Sequence, residues 1–218
     1  MALTKEKLIE MIGSGDFALS NPNLLHNWDF RNPVNQRGGR DVTGSGTHFL
    51  DRWKTWGTIN NYVTSSKYIL ITANSSIQQR IEGVDLAGKV CTVSWTNNYD
   101  TLYQLTGEFP TVAGTYNNYT FSTNISLRFG YSSSGFIYLQ FYTAASTTDI
   151  RTIKLELGTV STLAYDPPMD HAVELLKCQR FYQLRSVNNV AAENMRPLMR
   201  ITNPTITGTG PYAYSADL

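Results

Sequence analysis

From Trp53 to Leu157 apolar and polar residues alternate with a period of two, and this pattern limits the fold more tightly than any other property of the chain. Ile125, Leu127, Phe129 and Tyr131 alternate with Ser126, Arg128 and Gly130, and Ile153, Leu155 and Leu157 alternate with Lys154 and Glu156. Successive side chains of a strand point to opposite faces, so such runs make strands with one face buried. Turn signals recur between them at Gly57, Gly83, Asn97-Asn98, Gly107, Gly114, Asn117-Asn118 and Ser132-Ser-Ser-Gly135. Many short, punctuated strands with no intervening helical periods give an all-β sandwich or barrel and leave no way to build a parallel α/β sheet.

The ends read differently. Thr4 to Ile12, with a Thr cap and Gly13 as a stop, predicts a short helix. An isolated helix of that length is marginal in water, so it is expected to dock on the sandwich or on another chain. Asp166-Pro-Pro-Met-Asp170 predicts a break and a helix start. Ala172, Val173, Leu175, Leu176, Cys178, Phe181 and Tyr182 then give a broad apolar face, expected to pack across the sandwich. Leu198 to Gly210 reads as two short strands and a loop that add to an existing sheet. The expected division is a helical attachment segment over 1–20, a sandwich over 21–165 and a helix with strands over 166–218.

Composition removes several classes of function. Only 16% of the 218 residues are charged and the formal net charge is +1, so no broad field draws nucleic acid or an anionic membrane. No apolar run approaches the roughly 20 residues needed to span a bilayer. The charged segment after Met1-Ala-Leu-Thr-Lys is unlike a signal peptide, and no secretory route of the chain's own is expected. Cys91 shares a strand face with Val93 and Trp95 and reads as core, with a Cys91–Cys178 bridge as the alternative. The sequons at Asn74, Asn118 and Asn124 read as polar strand and turn residues.

Catalytic patterns are equally sparse. His26, His48 and His171 lack metal-ligand spacing, and there is no nucleophile elbow, Walker loop or dinucleotide fingerprint. Arg37-Gly-Gly-Arg40 and Gly44-Ser-Gly46 read as a flexible loop. Asp29, Asp51, Asp100, Glu108 and Asp149 supply carboxylates, but the sequence pairs no two of them for glycoside hydrolysis. The chain is expected not to be an enzyme.

Two blocks flank the strand-rich region. The first is Asn23-Leu-Leu-His-Asn27-Trp28-Asp29-Phe30, continuing through Asn35-Gln36-Arg37-Gly38 to Phe49-Leu-Asp51-Arg52-Trp53. The second is Lys154-Leu-Glu-Leu-Gly158, followed by Pro167-Pro168 and Cys178-Gln179-Arg180-Phe181-Tyr182. With Ile77 to Glu82 and Leu86 to Ser94 between them, these blocks resemble the family of bacteriophage tail-fibre and virion-appendage proteins built on a carbohydrate-binding-module-like β-sandwich. The resemblance implies a jelly roll and a virion protein, often homotrimeric, that engages host-surface or mucosal glycans beside other virion structural proteins. It leaves open a purely structural head-fibre, neck or baseplate component, and the accessory module of a carbohydrate-active enzyme. It also points to Asp29 and Asp149 as a candidate Ca²⁺ pair, since related sandwiches hold calcium through their first and closing strands.

Sugar recognition on a sandwich combines aromatic platforms with amide, hydroxyl and carboxylate groups. Trp28, Trp53 and Trp95 read as core. Tyr99 and Tyr103, among Asn97, Asp100 and other polar neighbours, form a candidate binding loop. Ile137, Leu139 and Phe141 point inward, which turns Phe136, Tyr138 and Tyr142 outward as a candidate row, to be covered by a ligand, the second helix or a neighbouring subunit. Trp56 is the remaining candidate.

Overall fold

The computed structural model describes residues 20–38, 42–60, 67–185, 199, 204–209 and 211–216. The expected N-terminal helix lies outside them. The described chain is an all-β, sandwich-like fold with one α-helix and one curled, antiparallel large sheet.

The large sheet contains β1 (Val42–Leu50), β2 (Trp53–Asn60), β3 (Ile69–Ile71), β4 (Ser75–Ile81), β7 (Thr115–Thr120), β8 (Ile125–Tyr131), β9 (Ile137–Thr143) and β10 (Thr148–Ile150). Its order is β10-β3-β2-β4-β9-β8-β7, with β1 also pairing β2. Facing it is a small sheet, β11-β5-β6, made of β5 (Val90–Thr96), β6 (Leu102–Glu108) and β11 (Thr152–Leu157). The glycine-rich stretch Gly44-Ser-Gly46, read from sequence as loop, lies inside β1. Strand β2 enforces this by pairing β1 from Val42↔Ile59 to Leu50↔Trp53, with two register shifts absorbing the irregular backbone.

The alternation works as expected for β8 and β9. Leu127, Phe129, Leu139 and Phe141 are buried and meet Cys91, Val93, Trp95, Ile153 and Leu155 of the small sheet in one core. Trp95 packs edge-on against Phe141 and Phe121, with centroids 5.2 and 5.0 Å away. Both cysteines are free and buried, so no bridge forms between them. Burial pushes the Cys91 thiol up to about 11 and raises that of Cys178 as well.

Strand β11 departs from the half-buried pattern, because Lys154 and Glu156 are as fully buried as Ile153 and Leu155. The first sequence block runs beside this strand. Leu24 N–H donates to Leu155 O, Phe30 N–H to Arg151 O, and Ile153 N–H to Trp28 O. Asn23 accepts from the N–H of both Leu25 and Leu155. The segment before it then crosses the polar face of β11. There Lys154 Nζ donates to Ser20 Oγ, Thr162 Oγ1 and Asp166 Oδ1 at 2.9, 2.8 and 2.5 Å. Glu156 accepts from the N–H and hydroxyl of Thr162. Three acceptors around one ammonium make this buried charge tolerable.

After a 3₁₀ turn at Leu163–Tyr165, helix α1 spans His171–Gln179, capped by Asp170, whose Oδ1 accepts from Ala172 and Val173 N–H. Its buried residues are Glu174 and Cys178, while Val173 and Leu176 are about half exposed. Of the broad apolar face expected from sequence, Cys178 and Phe181 are buried and Leu175 and Tyr182 partly so, while Ala172, Val173 and Leu176 stay exposed, so the face packs only in part. Glu174 turns inward because Asn27 N–H donates to its Oε1 at 2.6 Å. Much of the stretch from Leu198 to Gly210 expected to hold two strands lies outside the described residues, and the C-terminal strands that are described do not join the sandwich sheets. β12 (Tyr182–Arg185), β13 (Thr205–Thr207) and β14 (Tyr212–Ser215) form a third sheet in the order β12-β14-β13, over a small cluster of Met199, Tyr214 and Ala216.

His26, in the first block, is held down to about 3 by burial and by the nearby positive charges of Arg52, Lys177 and Arg180. Its buried Nδ1 meets no protein partner, as suits a neutral ring. The unfolded chain takes up this proton near the ordinary value of 6.5 and the folded chain does not. The contribution of His26 is therefore level above that value and falls as pH drops from it toward 3. Urea unfolding at pH 7 and pH 4 should show a larger loss of stability for the wild type than for His26→Phe; equal losses would remove this titration from the account.

Candidate functional site

Where β2, β4, β9, β8 and β7 lie side by side, the residues that do not enter the core share the outer face. Register sets them in rows. One row runs Lys54↔Gln78↔Gln140↔Arg128↔Asn118. The next runs Arg80↔Tyr138↔Gly130↔Tyr116, and a third runs Trp56↔Ser76↔Tyr142↔Ser126↔Thr120. Cross-strand neighbours stand roughly 4.5–5.5 Å apart, so each row is a continuous strip of interacting side chains.

A cleft of about 420 Å³ opens on this face, lined by Trp56, Phe136, Tyr138, Tyr116 and Tyr131 together with Lys54, Gln78, Arg80 and the Ser132-Ser133 turn. Two cation–π contacts shape its walls. The Arg80 guanidinium lies 3.7 Å from the centre of the Phe136 ring, and that of Arg128 lies 4.0 Å from the centre of Tyr116. Tyr138 lies flat on the sheet over Gly130, where a Cβ would come within 2.0 Å of its ring. A glycine is thus required beneath the platform, and the ring covers the backbone that the glycine exposes. Gln140 Nε2 donates to Ser76 Oγ at 2.7 Å, and Arg128 Nε to Asn118 Oδ1 at 3.2 Å, which fixes the polar groups beside the aromatics.

The residues proposed from sequence divide into two groups. Trp56, Phe136 and Tyr138 meet in the cleft, and Tyr142 lies on the same face with its hydroxyl 3.4 Å from Asn74 Oδ1. Helix α1 contributes nothing to the lining of this cleft. The Asn97–Tyr103 group belongs instead to the β5–β6 hairpin of the other sheet. Asn97 Oδ1 accepts from Tyr99 and Thr101 N–H, which makes it a turn-forming side chain. Tyr103 is stacked on Trp95 with centroids 5.7 Å apart, so it serves the core. Asn97 Nδ2 also donates to the Tyr103 hydroxyl at 3.3 Å, Asp100 pairs with Arg151 at 2.6 Å while staying exposed, and Tyr99 projects, 82% exposed. This group lies on the other sheet and lines no part of the cleft.

The candidate calcium pair is occupied by protein donors. Both oxygens of Asp29 accept from the Arg31 side chain, at 2.7 and 2.6 Å, and Asp149 Oδ2 accepts from Asn98 N–H at 2.5 Å. Among the described residues no three His, Cys, Asp or Glu side chains gather to hold a metal ion.

Sequence reasoning did not single out Lys54, Gln78, Arg80, Tyr116, Arg128 or Tyr131. The alternation in Ile77-Gln-Gln-Arg-Ile81 carries part of the signal, since it turns Gln78 and Arg80 away from the buried isoleucines. Fold and cleft together define an all-β sandwich with an aromatic, polar and basic recess on one sheet. No family model matches the chain, and neither a curated protein nor a solved structure matches it.

Gly130→Ala should lift Tyr138 off the sheet without emptying the core. The expected result is a folded protein with a modest loss of thermal stability and a more exposed Tyr138 by tyrosine-selective labelling and mass spectrometry. Unchanged labelling at Tyr138 would show that its ring does not depend on Gly130.

Proposed function

We propose that this protein is a non-catalytic bacteriophage virion appendage protein whose large sheet binds a saccharide of a cell surface or mucosal layer through the cleft around Trp56, Phe136 and Tyr138. The observation that carries the saccharide reading is the convergence of Trp56 of β2, Tyr138 of β9 and Phe136 just before β9 with the amide of Gln78 and the hydroxyls of Ser132 and Ser133 in one open recess. Aromatic faces pack against sugar C–H groups while amides and hydroxyls exchange hydrogen bonds with sugar hydroxyls.

The virion assignment is supported by the family resemblance of the two sequence blocks. Their meeting along β11 supplies a physical reason for the spacing. Absence of catalysis is supported at the cleft itself: among the described residues that line it no side chain is acidic, and glycoside hydrolysis needs a pair of carboxylates. A homotrimer is part of the proposal, because weak sites on one particle gain avidity when several engage together.

A glycan array probed with the full chain tests this reading, with light scattering on the same sample expected to give the mass of three chains. Trp56→Ala and Tyr138→Ala should each remove about 1–3 kcal/mol of binding and keep a cooperative melt, as expected for loss of one aromatic contact. Tyr99→Ala should bind as the wild type does. Loss of binding in Tyr99→Ala with retention in the other two would move the site to the β5–β6 hairpin. An array without any bound glycan would leave the sandwich as a purely structural component.

A further inference from the structure

We infer that Lys154 and Asp166 condense after folding into a side-chain amide, an internal cross-link that joins β11 to the segment leading into α1. The bond is independent of the cleft around Trp56 and of any saccharide. Its reactants are already gathered. Lys154 Nζ lies 2.5 Å from Asp166 Oδ1, with the lysine side chain fully buried and the aspartate side chain 7% exposed. Glu156, two residues on and on the same face of β11, is buried as well, and its Oε2 lies 3.8 Å from Nζ. Charges held out of water are costly even when paired, and joining lysine to aspartate as a neutral amide removes two of them. Groups that a fold keeps in contact react as if at very high concentration, which offsets the unfavourable balance of amide formation in water.

The hydrogen bonds trace the path of the protons. Lys154 Nζ donates to the hydroxyls of Ser20 and Thr162 at 2.9 and 2.8 Å, and Ser20 Oγ in turn donates to Asp166 Oδ1. The nitrogen is thus joined to Oδ1 twice, once directly and once through a hydroxyl. A first proton crosses the direct contact and frees the lone pair of Nζ, which attacks Cγ of Asp166. As the C–N bond forms, the bond from Cγ to Oδ1 breaks, and a second proton passes from nitrogen to Oδ1 through Ser20. Oδ1 leaves as water, Oδ2 remains as the amide carbonyl, and nothing is oxidised or reduced. Thr162 donates its N–H and its hydroxyl to Glu156 at 2.7 and 2.6 Å, which fixes a carboxylate beside the nitrogen while that atom carries positive charge. Ser20 and Asp166 also line an open cleft of about 450 Å³ beside α1, which gives the water a way out.

Asp166 is also protected from a competing loss of water. An aspartate dehydrates to a succinimide when the backbone nitrogen of the next residue attacks its side chain, and here the next residue is Pro167, which has no N–H. The amide closes a ring through residues 154–166 and fastens β11, the strand along which the two sequence blocks meet, to the lead-in of α1. Such a ring restricts the unfolded chain and holds the two segments together when the hydrogen bonds between them open.

Mass spectrometry of the full chain, unfolded after purification, tests the bond. The intact mass should fall short of the sequence mass by one water. Trypsin should then release residues 152–177 as one peptide, lighter by one water, uncut after Lys154 and yielding no separated fragments from within 154–166. Asp166→Ala should show the full mass of its own sequence and cleavage after Lys154. Ser20→Ala, checked for folding by its melting curve, should leave part of the chain unlinked, and Ser20→Thr should restore the linkage. A wild type of full mass that is cut after Lys154 overturns the cross-link and leaves an ion pair, whether or not any variant folds. Loss of water with normal cleavage after Lys154 places the dehydration elsewhere and overturns it equally. Complete linkage in Ser20→Ala keeps the bond and overturns the relay through Ser20.

Discussion

The fold depends on one buried amide, the side chain of Asn27. Its Nδ2 donates to the carbonyls of Val34 and Asp51 at 2.8 Å each, and its Oδ1 accepts from Val34 N–H at 2.7 Å. Its backbone N–H donates to Glu174 of α1, and its carbonyl accepts from Trp53 Nε1 at 2.9 Å. The residue is fully buried with a φ of 54°, a left-handed conformation that asparagine tolerates better than other side-chain-bearing residues. The loop at Val34, the β1–β2 turn and α1 are thus all tied to one residue. Each buried group it satisfies would otherwise cost on the order of 1–3 kcal/mol to leave unpaired, so no aliphatic replacement of similar size could serve.

From this knot the chain is tied outward to the cleft. Asp51 accepts from the backbone N–H and side chain of Gln36, and the next residue, Arg52, takes a φ of 74° that turns the chain into β2. Arg52 Nη2 donates to Arg80 O at 2.7 Å, while its guanidinium lies 3.5 Å from the centre of the Phe181 ring. The backbone that presents the Arg80 side chain to the cleft is therefore held by Arg52 of the β1–β2 turn, whose guanidinium rests on Phe181 just past α1. Both sequence blocks act as architecture. The tryptophans of the first, Trp28 and Trp53, are core, and the cleft is built from residues that lie between the two blocks in the chain.

How far the sequence reveals the molecule follows from how local each constraint is. Alternation in Ile125–Tyr131 and Ile137–Thr143 reports a strand's own two faces, and those strands are legible residue by residue. The same alternation misleads at Lys154 and Glu156, because the layer over them comes from Ser20 and from Thr162 and Asp166, and no period within β11 records that cover. The burial of Glu174 is non-local in the same way: the N–H that draws it inward belongs to a residue 147 positions away. Tyr103 resembles an exposed aromatic until the β5–β6 register sets it opposite Trp95. The cleft lies at the far end of this scale. Trp56 and Tyr138 become neighbours only through β4, whose pairing with β2 on one side and β9 on the other is a property of the whole sheet.

Low overall charge and a locally basic cleft are compatible because salt limits the reach of each charge. At physiological ionic strength the screening length is about 8 Å, close to the separation of two or three strands, so Lys54, Arg80 and Arg128 act on what enters the cleft and little beyond it. Long-range capture of polyanions needs a summed field that a chain of net charge +1 does not produce. What the cleft offers is contact at short range: the ring of Tyr138 lying over Gly130, the ring of Phe136 under the Arg80 guanidinium and, beside them, the Gln140 amide held by Ser76. A saccharide site of the kind proposed above would gain little from attraction at a distance, and copies displayed together would raise its affinity through avidity.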